Sequence, residues 1–342
     1  MKPRVFFAFV APSLALMILF IAVPLVAVFV QSFQITQQVY KQVTVETCTP
    51  GFVTQNCVQE TKSQAVLDEN GKPLVETRFV GFANYLELLK PNAVMKAFAP
   101  GGGGFAALLN IDFYKALRFT LTFTFVTLPL VLGLGLLVAL AVENTLRSLR
   151  GPLIFVTLLP FIITPVIGAL SIRWLFVGDG IMTAALQHLL GHKVSVFSNG
   201  WAIEALMIFY RVWSVTPFAF VIFYAGLQTV DNDTMESAII DGATRLERLR
   251  YVIIPHLMPL IVFVALIHLM DSYRVFEEVI GFSSQSYRIS LQWLTYDFLI
   301  PDNTGNRSIP RASASSMLTM IGIVILLVPL LRRAWRDHKR SC

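Results

Sequence analysis

Val5-Phe-Phe-Ala-Phe-Val-Ala-Pro-Ser-Leu-Ala-Leu-Met-Ile-Leu-Phe-Ile-Ala-Val-Pro-Leu-Val-Ala-Val-Phe-Val30 carries no charged residue and follows Lys2 and Arg4. A basic start before an apolar run is also how a secretory leader begins. The apolar core of a leader, however, spans roughly 7–15 residues and ends at small residues that a peptidase cuts. This run is far longer and lacks such an end. About 20 apolar residues in a helix cross the ~30 Å hydrocarbon layer of a bilayer, so the run reads as a retained transmembrane helix.

The same reading extends outward along the chain. Residues 119–142, 152–172, 206–228, 252–270 and 312–331 are each uncharged or nearly so and close to that length. Six spans are expected, in an all-α integral membrane protein. Composition agrees, because only 14% of the 342 residues are charged, 55% are hydrophobic and the mean hydropathy is +0.66. Soluble domains carry about a quarter charged residues. An ordinary soluble enzyme, a disordered chain and a fibrous repeat are therefore excluded. The formal net charge of +6 follows from where the basic residues lie, and it is not a nucleic-acid signal.

Those positions predict orientation. Lys2 and Arg4, Arg147 and Arg150, Arg245, Arg248 and Arg250, and finally Arg332, Arg333, Arg336, Lys339 and Arg340 fall on one side of a six-span path. Lys193 is the sole Lys or Arg of the opposite short connection, residues 177–200. The positive-inside rule then places both termini in the cytoplasm. Residues 1–33 form the first span and 34–116 an external loop or small cap. Residues 117–332 form a five-helix core containing the cytoplasmic loop 231–255, and 333–342 a cytoplasmic tail.

The external segment has Thr- and Val-rich patches within 43–66, a turn at Asn70-Gly71-Lys72-Pro73 and a flexible Gly101–Gly104 tract, consistent with a short β-rich cap. Cys48 and Cys57 flank Pro50-Gly51. In an oxidising compartment they either form a disulfide or stay as two free thiols. Cys342 reads as an incidental terminal thiol.

Catalytic motifs are missing from the sequence: it has no GxxxxGK[ST] phosphate loop, no HExxH and no Cys/His cluster with metal spacing. The histidines, His188, His192, His256, His268 and His338, are scattered. His268, inside the fifth span, reads as a buried hydrogen-bonding group more readily than as a proton relay. Whatever energy this protein uses must be supplied by something else.

The richest stretch joins the fourth and fifth spans, from Asp233 to Pro255. Asp233 and Glu236 have the spacing of a capping box. Ala238, Ile239, Ile240 and Ala243 give a small apolar surface, and Gly242 either interrupts the helix or admits a close backbone. Pro255, with Pro259 behind it, marks re-entry into the membrane. Such an element either docks into a groove on a cytosolic partner or lies at the interface, anchored by Arg245, Arg248 and Arg250.

This stretch resembles the EAA signature of ABC importer permeases, written E-A-A-x-x-D-G-A with a later proline. Glu236, Ala238, Asp241, Gly242, Ala243 and Pro255 match, while Ser237 replaces an alanine and Leu249 stands where phenylalanine is frequent. Phe79-Val80-Gly81-Phe82-Ala83-Asn84-Tyr85, Phe223-Tyr224-Ala225-Gly226-Leu227-Gln228 and Phe276-Glu277-Glu278-Val279 resemble further segments of the maltose-type carbohydrate importers, in the permease with a long first external loop. After the fifth span this chain has Gly281-Phe282-Ser283-Ser284-Gln285-Ser286-Tyr287 where many relatives carry T-G-G-G-P. A polar insertion, residues 301–310, follows it, so substrate identity does not carry over.

The resemblance implies a type I importer permease fold in a bacterial inner membrane. It implies a second homologous permease, two ATP-binding subunits that hold ATP and Mg²⁺, and an external solute-binding protein. This chain itself would hold no cofactor or metal and have no catalytic residue. Coupling would pass through Glu236–Ala243. Polar groups within spans are functional candidates. Glu204 and Arg211, two turns apart on one face, read as an internal ion pair or interfacial anchors. Tyr273 and Arg274, with Asp271 beside them and Trp213, Ser214 and Thr216 behind, are the substrate-pathway candidates. Arg274 could bind hydroxyls, bind an anion, or pair with Asp271 or Glu278. A secondary transporter, which normally has internally repeated bundles and more spans, and a membrane scaffold are the competing classes.

Overall fold

A computed structural model describes residues 3–50, 55–66, 74–178, 180–192, 195–301 and 307–341. The chain opens with α1 (Pro3–Met17) and α2 (Val23–Gln31). Strands β1 (Gln34–Gln38), β2 (Tyr40–Pro50), β3 (Gln55–Ala65) and β4 (Val75–Phe79) follow, then short helices α3 (Ala83–Leu89), α4 (Pro91–Phe98) and α5 (Gly104–Leu108). The helical remainder comprises α6 (Asp112–Glu143), α7 (Arg147–Ile162), α8 (Pro165–Phe176), α9 (Ile181–Leu190), α10 (Gly200–Leu227) and α11 (Asn232–Ile240). It closes with α12 (Arg245–Arg248), α13 (Ile254–Tyr273), α14 (Glu277–Gly281), α15 (Leu291–Asp297) and α16 (Ile309–Ser341).

Among the described residues, five stretches, Phe9–Gln31, Asp112–Glu143, Gly200–Leu227, Arg245–Tyr273 and Ile309–Arg333, are long and apolar enough to cross a membrane. The sixth expected span, 152–172, is not one straight helix but the pair α7 and α8, bent by 92°. Ile163 and Thr164 are extended, with ψ of 129° and 128°, directly before Pro165. The ring of a proline keeps the preceding residue out of the helical region. Counting the bent pair as one span gives six.

Elsewhere prolines are absorbed. Wide π turns at Ile18–Ala22 and Leu249–Ile253 stand immediately before helices that hold Pro24 and Pro255 in their first turns. A proline donates no N–H and its ring meets the carbonyl four residues back. A π turn shifts that carbonyl, so helical winding continues through both prolines.

The chain divides into two compact units, Met1–Pro91 with Thr295–Met317, and Asn92–Leu294 with Leu318–Cys342. In the first, β1 pairs with β4 and β2 with β3, both antiparallel, and the second ladder sets Cys48 opposite Cys57. Asn84 Nδ2 donates to the carbonyls of Ser32 at 2.9 Å and Gln34 at 2.7 Å, and the Tyr85 hydroxyl donates to Ser32 Oγ at 2.7 Å. The Phe33 ring packs on Phe82, Tyr85 and Phe79 at 5.3, 5.6 and 6.4 Å. The Asn84-Tyr85 motif thus ties the exit of α2 to the return of the chain. The expected turn at residues 70–73, Gly51, Lys193 and Cys342 lie outside the described residues, as do residues 302–306 of the polar insertion.

In the second unit α10 is the hub. A Cβ on Gly135 of α6 would lie 2.6 Å from that of Ala219 on α10, so small residues bring the two backbones together, as transmembrane packing requires. Phe119, Phe123, Ala169, Met207, Tyr210 and Phe282 form one buried cluster, and Val131, Ala139, Phe220, Phe223 and Val264 belong to a second.

Candidate functional site

The loop after α10 folds as two capped helices. The α11 cap is Asp231, not Asp233 as the sequence reading expected: its Oδ1 accepts from the Asp233 amide at 3.2 Å and Oδ2 from the Thr234 hydroxyl at 2.9 Å. An N-cap side chain reaches the second or third amide of the first turn, which makes Asp233 the donor. The capping box lies in α12, where Thr244 Oγ1 accepts from the Glu247 amide at 3.3 Å and Glu247 Oε2 accepts from the Thr244 amide at 2.7 Å. Glu236 stays exposed.

Between the caps, Gly242 has φ +79°. Its amide donates to the Ile239 carbonyl at 3.0 Å and the Ala243 amide to the Ala238 carbonyl at 2.9 Å, the bond pair of a Schellman termination. A Cβ at Gly242 would meet nothing within 4 Å. Backbone conformation, and no neighbour within this chain, therefore explains the glycine. Ala238 and Ala243 are half-buried, Asp241 is exposed, and Pro255 opens α13. Ile240 is 85% exposed, Leu246 72% and Ile239 54%. Three large apolar side chains are thus displayed beside exposed carboxylates.

Glu204 and Arg211 are both buried on α10, but they do not pair with each other. Glu204 Oε2 accepts from Arg118 Nη2 at 2.8 Å and from Arg288 Nε at 2.5 Å. Both guanidiniums sit over the Trp201 ring, at 4.9 and 5.1 Å. Arg211 donates through Nη1 to Glu278 Oε1 at 2.9 Å and through Nη2 to Asp271 Oδ2. One carboxylate held by two arginines, and one arginine held by two carboxylates, balance to zero. A lone charge is costly inside a membrane, and that cost could have pointed to Arg118, Arg288 and Glu278 as partners. His268 shares a 3.0 Å hydrogen bond with Thr127 Oγ1.

The substrate-pathway candidates are distributed unevenly. Ser214 is buried and its hydroxyl donates to the Arg211 carbonyl at 3.2 Å. Thr216 is buried, and its hydroxyl has no partner among the described residues. Tyr273 is buried with its hydroxyl against Gly322. Arg274 caps α13 and is exposed, and both carboxylates considered as its partners are bound by Arg211. Trp213 is 40% exposed and the Asp271 side chain 57%. A carboxylate so exposed on a span faces something other than lipid tails.

Comparison with known proteins agrees with this architecture. The family described as "Binding-protein-dependent transport system inner membrane component" matches residues 100–334. The chain is 27% identical over 261 residues to the trehalose/maltose transport system permease protein MalF of Thermococcus litoralis, covering 75% of this chain and 80% of that one. It is 26% identical over 253 residues to the sn-glycerol-3-phosphate transport system permease protein UgpA of Yersinia enterocolitica, covering 71% and 82%. Its fold is like that in the crystal structure of a bacterial ABC transporter involved in the import of the acidic polysaccharide alginate, with a TM-score of 0.58 at 20% identity over 74% of this chain and 91% of the other. With an EAA-type loop between α10 and α13 inside the matched region, the chain belongs to the family of binding-protein-dependent transport system inner membrane components.

Proposed function

We propose that this chain is the permease of an ATP-driven importer for a sugar or sugar derivative in a bacterial inner membrane, with both termini cytoplasmic. It forms the pathway with a second homologous permease and receives solute from an external binding protein. Of two ATP-binding subunits, which carry ATP and Mg²⁺, one docks on α11 and α12 and the other on the corresponding loop of the second permease. Their closure draws the coupling elements together and opens the pathway outward, and hydrolysis returns it inward.

The observation that carries this reading is the capped α11–Gly242–α12 element, with Glu236 and Asp241 beside exposed Ile239, Ile240 and Leu246. Relatives named for trehalose/maltose and for sn-glycerol-3-phosphate support a polyhydroxylated solute. Among the pathway candidates, Tyr273 and Arg274 supply an aromatic face and a donor, Asp271 an acceptor, and Trp213, Ser214 and Thr216 a further aromatic ring and hydroxyls. In the external compartment, Cys48 and Cys57 form a disulfide across the β2–β3 ladder.

The test is Glu236→Lys and Gly242→Trp in the reconstituted complex. Both variants insert at near wild-type levels, while uptake and substrate-stimulated ATP hydrolysis collapse. Wild-type uptake in both variants would remove the coupling role.

A further inference from the structure

Where α6 ends, a cavity of about 540 Å³ opens between that helix, α11 and the turn leading into α13. Arg245 and Arg248 line it together with Leu140, Met235, Leu249 and Ile253. Arg248 Nε is buried without a hydrogen-bond partner among the described residues. The nearby carboxylates are already engaged: Glu247 accepts from the amide and hydroxyl of Thr244, and Glu143 lies 3.4 Å from Arg150 Nη2 and accepts from Gln228. Buried donors are almost always satisfied in a finished structure, so the cavity offers an unmet guanidinium donor beside a second arginine.

The walls narrow the choice. Leu140 belongs to the last turn of a membrane-spanning helix, and Ile253 directly precedes another. Both mark the same edge of the apolar layer, on the side where the basic clusters gather. An occupant must present negative charge to two guanidiniums and apolar chain to Leu140, Leu249 and Ile253. Cytoplasmic leaflets supply molecules of that kind, and basic recesses between helices bind their head groups.

We propose that this cavity is a binding site for an anionic phospholipid, its phosphate held by Arg245 and Arg248. Because Met235 of α11 forms part of the wall, the lipid braces the coupling element from its membrane side. That functional consequence rests on the coupling role of α11, whereas binding itself does not.

The experiment uses the full-length chain in its complex, purified from vesicles of phosphatidylcholine containing phosphatidylglycerol, with retained lipid counted by native mass spectrometry. Retention of phosphatidylglycerol falls about fivefold in Arg245→Gln or Arg248→Gln and about thirtyfold in the double variant. Arg245→Lys with Arg248→Lys keeps most of it, and Arg332→Gln with Arg333→Gln, on the same side of the membrane, leaves it unchanged. Equal retention in the Arg245→Gln/Arg248→Gln variant, or equal loss in the Arg332/Arg333 variant, would overturn the site. So would displacement of the lipid by millimolar inorganic phosphate, which would mark a free-anion site. Uptake by the same preparations reports separately on the transport reading, since lipid retention without any uptake would leave this site standing.

Discussion

Arg211 shows how a buried charge organises its surroundings. It lies on α10 and takes one carboxylate from α13 and one from α14, spanning the break at Arg274–Phe276. Removing one partner of a buried pair leaves an uncompensated charge, at about 3–5 kcal/mol, whereas replacing the whole set with apolar groups is far milder. Arg211→Met, which leaves the fully buried Glu278 without a counter-charge, is accordingly expected to lower the melting temperature of the detergent-solubilised protein sharply, and adding Glu278→Leu to recover much of the loss, because the remaining Asp271 side chain is 57% exposed. A double variant that melts lower still would contradict the pairing. At this scale the sequence was half legible: Arg211, Asp271 and Glu278 stood out as charges beside or within apolar runs, but the choice between Arg211 and Arg274 as partner depends on helix rotation and packing. Ser283, with φ +49°, was not legible as a strained position. It closes α14 through the amide bonds Ser283 to Ile280 and Ser284 to Val279, where glycine is the usual residue.

Secondary elements were read well wherever length alone decided them. The apolar runs at 5–30, 119–142, 206–228, 252–270 and 312–331 all became long helices. Proline was harder, because its effect depends on what satisfies the freed carbonyls. Pro129 and Pro217 stay inside α6 and α10, Pro24 and Pro255 follow π turns, and Pro165 ends one helix and begins another. Among the strands, directly opposed residues of an antiparallel ladder lie about 4.5–5.5 Å apart at Cα, within the ~4.4–6.8 Å that disulfides span. Cys48 and Cys57 occupy such a position. Intact mass after alkylation of the unreduced protein should show one labelled thiol, from Cys342, rising to three after reduction. Three labelled thiols before reduction would show that the bond does not form.

For the whole molecule, the proposed orientation rests on the positions of the basic residues and is open to direct test. In a background with its cysteines replaced by serine, an impermeant maleimide added to intact cells is expected to label a cysteine at Lys96 or His188 and to miss one at Ser148 or Thr244. Labelling at Thr244 would invert the map. The two compact units and the ion clusters were beyond sequence reading, because their contacts join residues far apart in the chain, such as Arg118 with Glu204 and Asn84 with Ser32. The loop between α10 and α13 was legible through its glycine termination and re-entry proline, which are local, but not through its caps, which lie at Asp231 and Thr244.

The most direct measurement is solute accumulation in proteoliposomes carrying this chain, its companion permease and the ATP-binding subunits. A binding protein loaded with a radiolabelled carbohydrate is placed on the face opposite those subunits. Accumulation is expected only with ATP and Mg²⁺ on the side of α11 and α12, and it should vanish when the binding protein is omitted. Accumulation driven by a proton or sodium gradient without ATP would contradict the account.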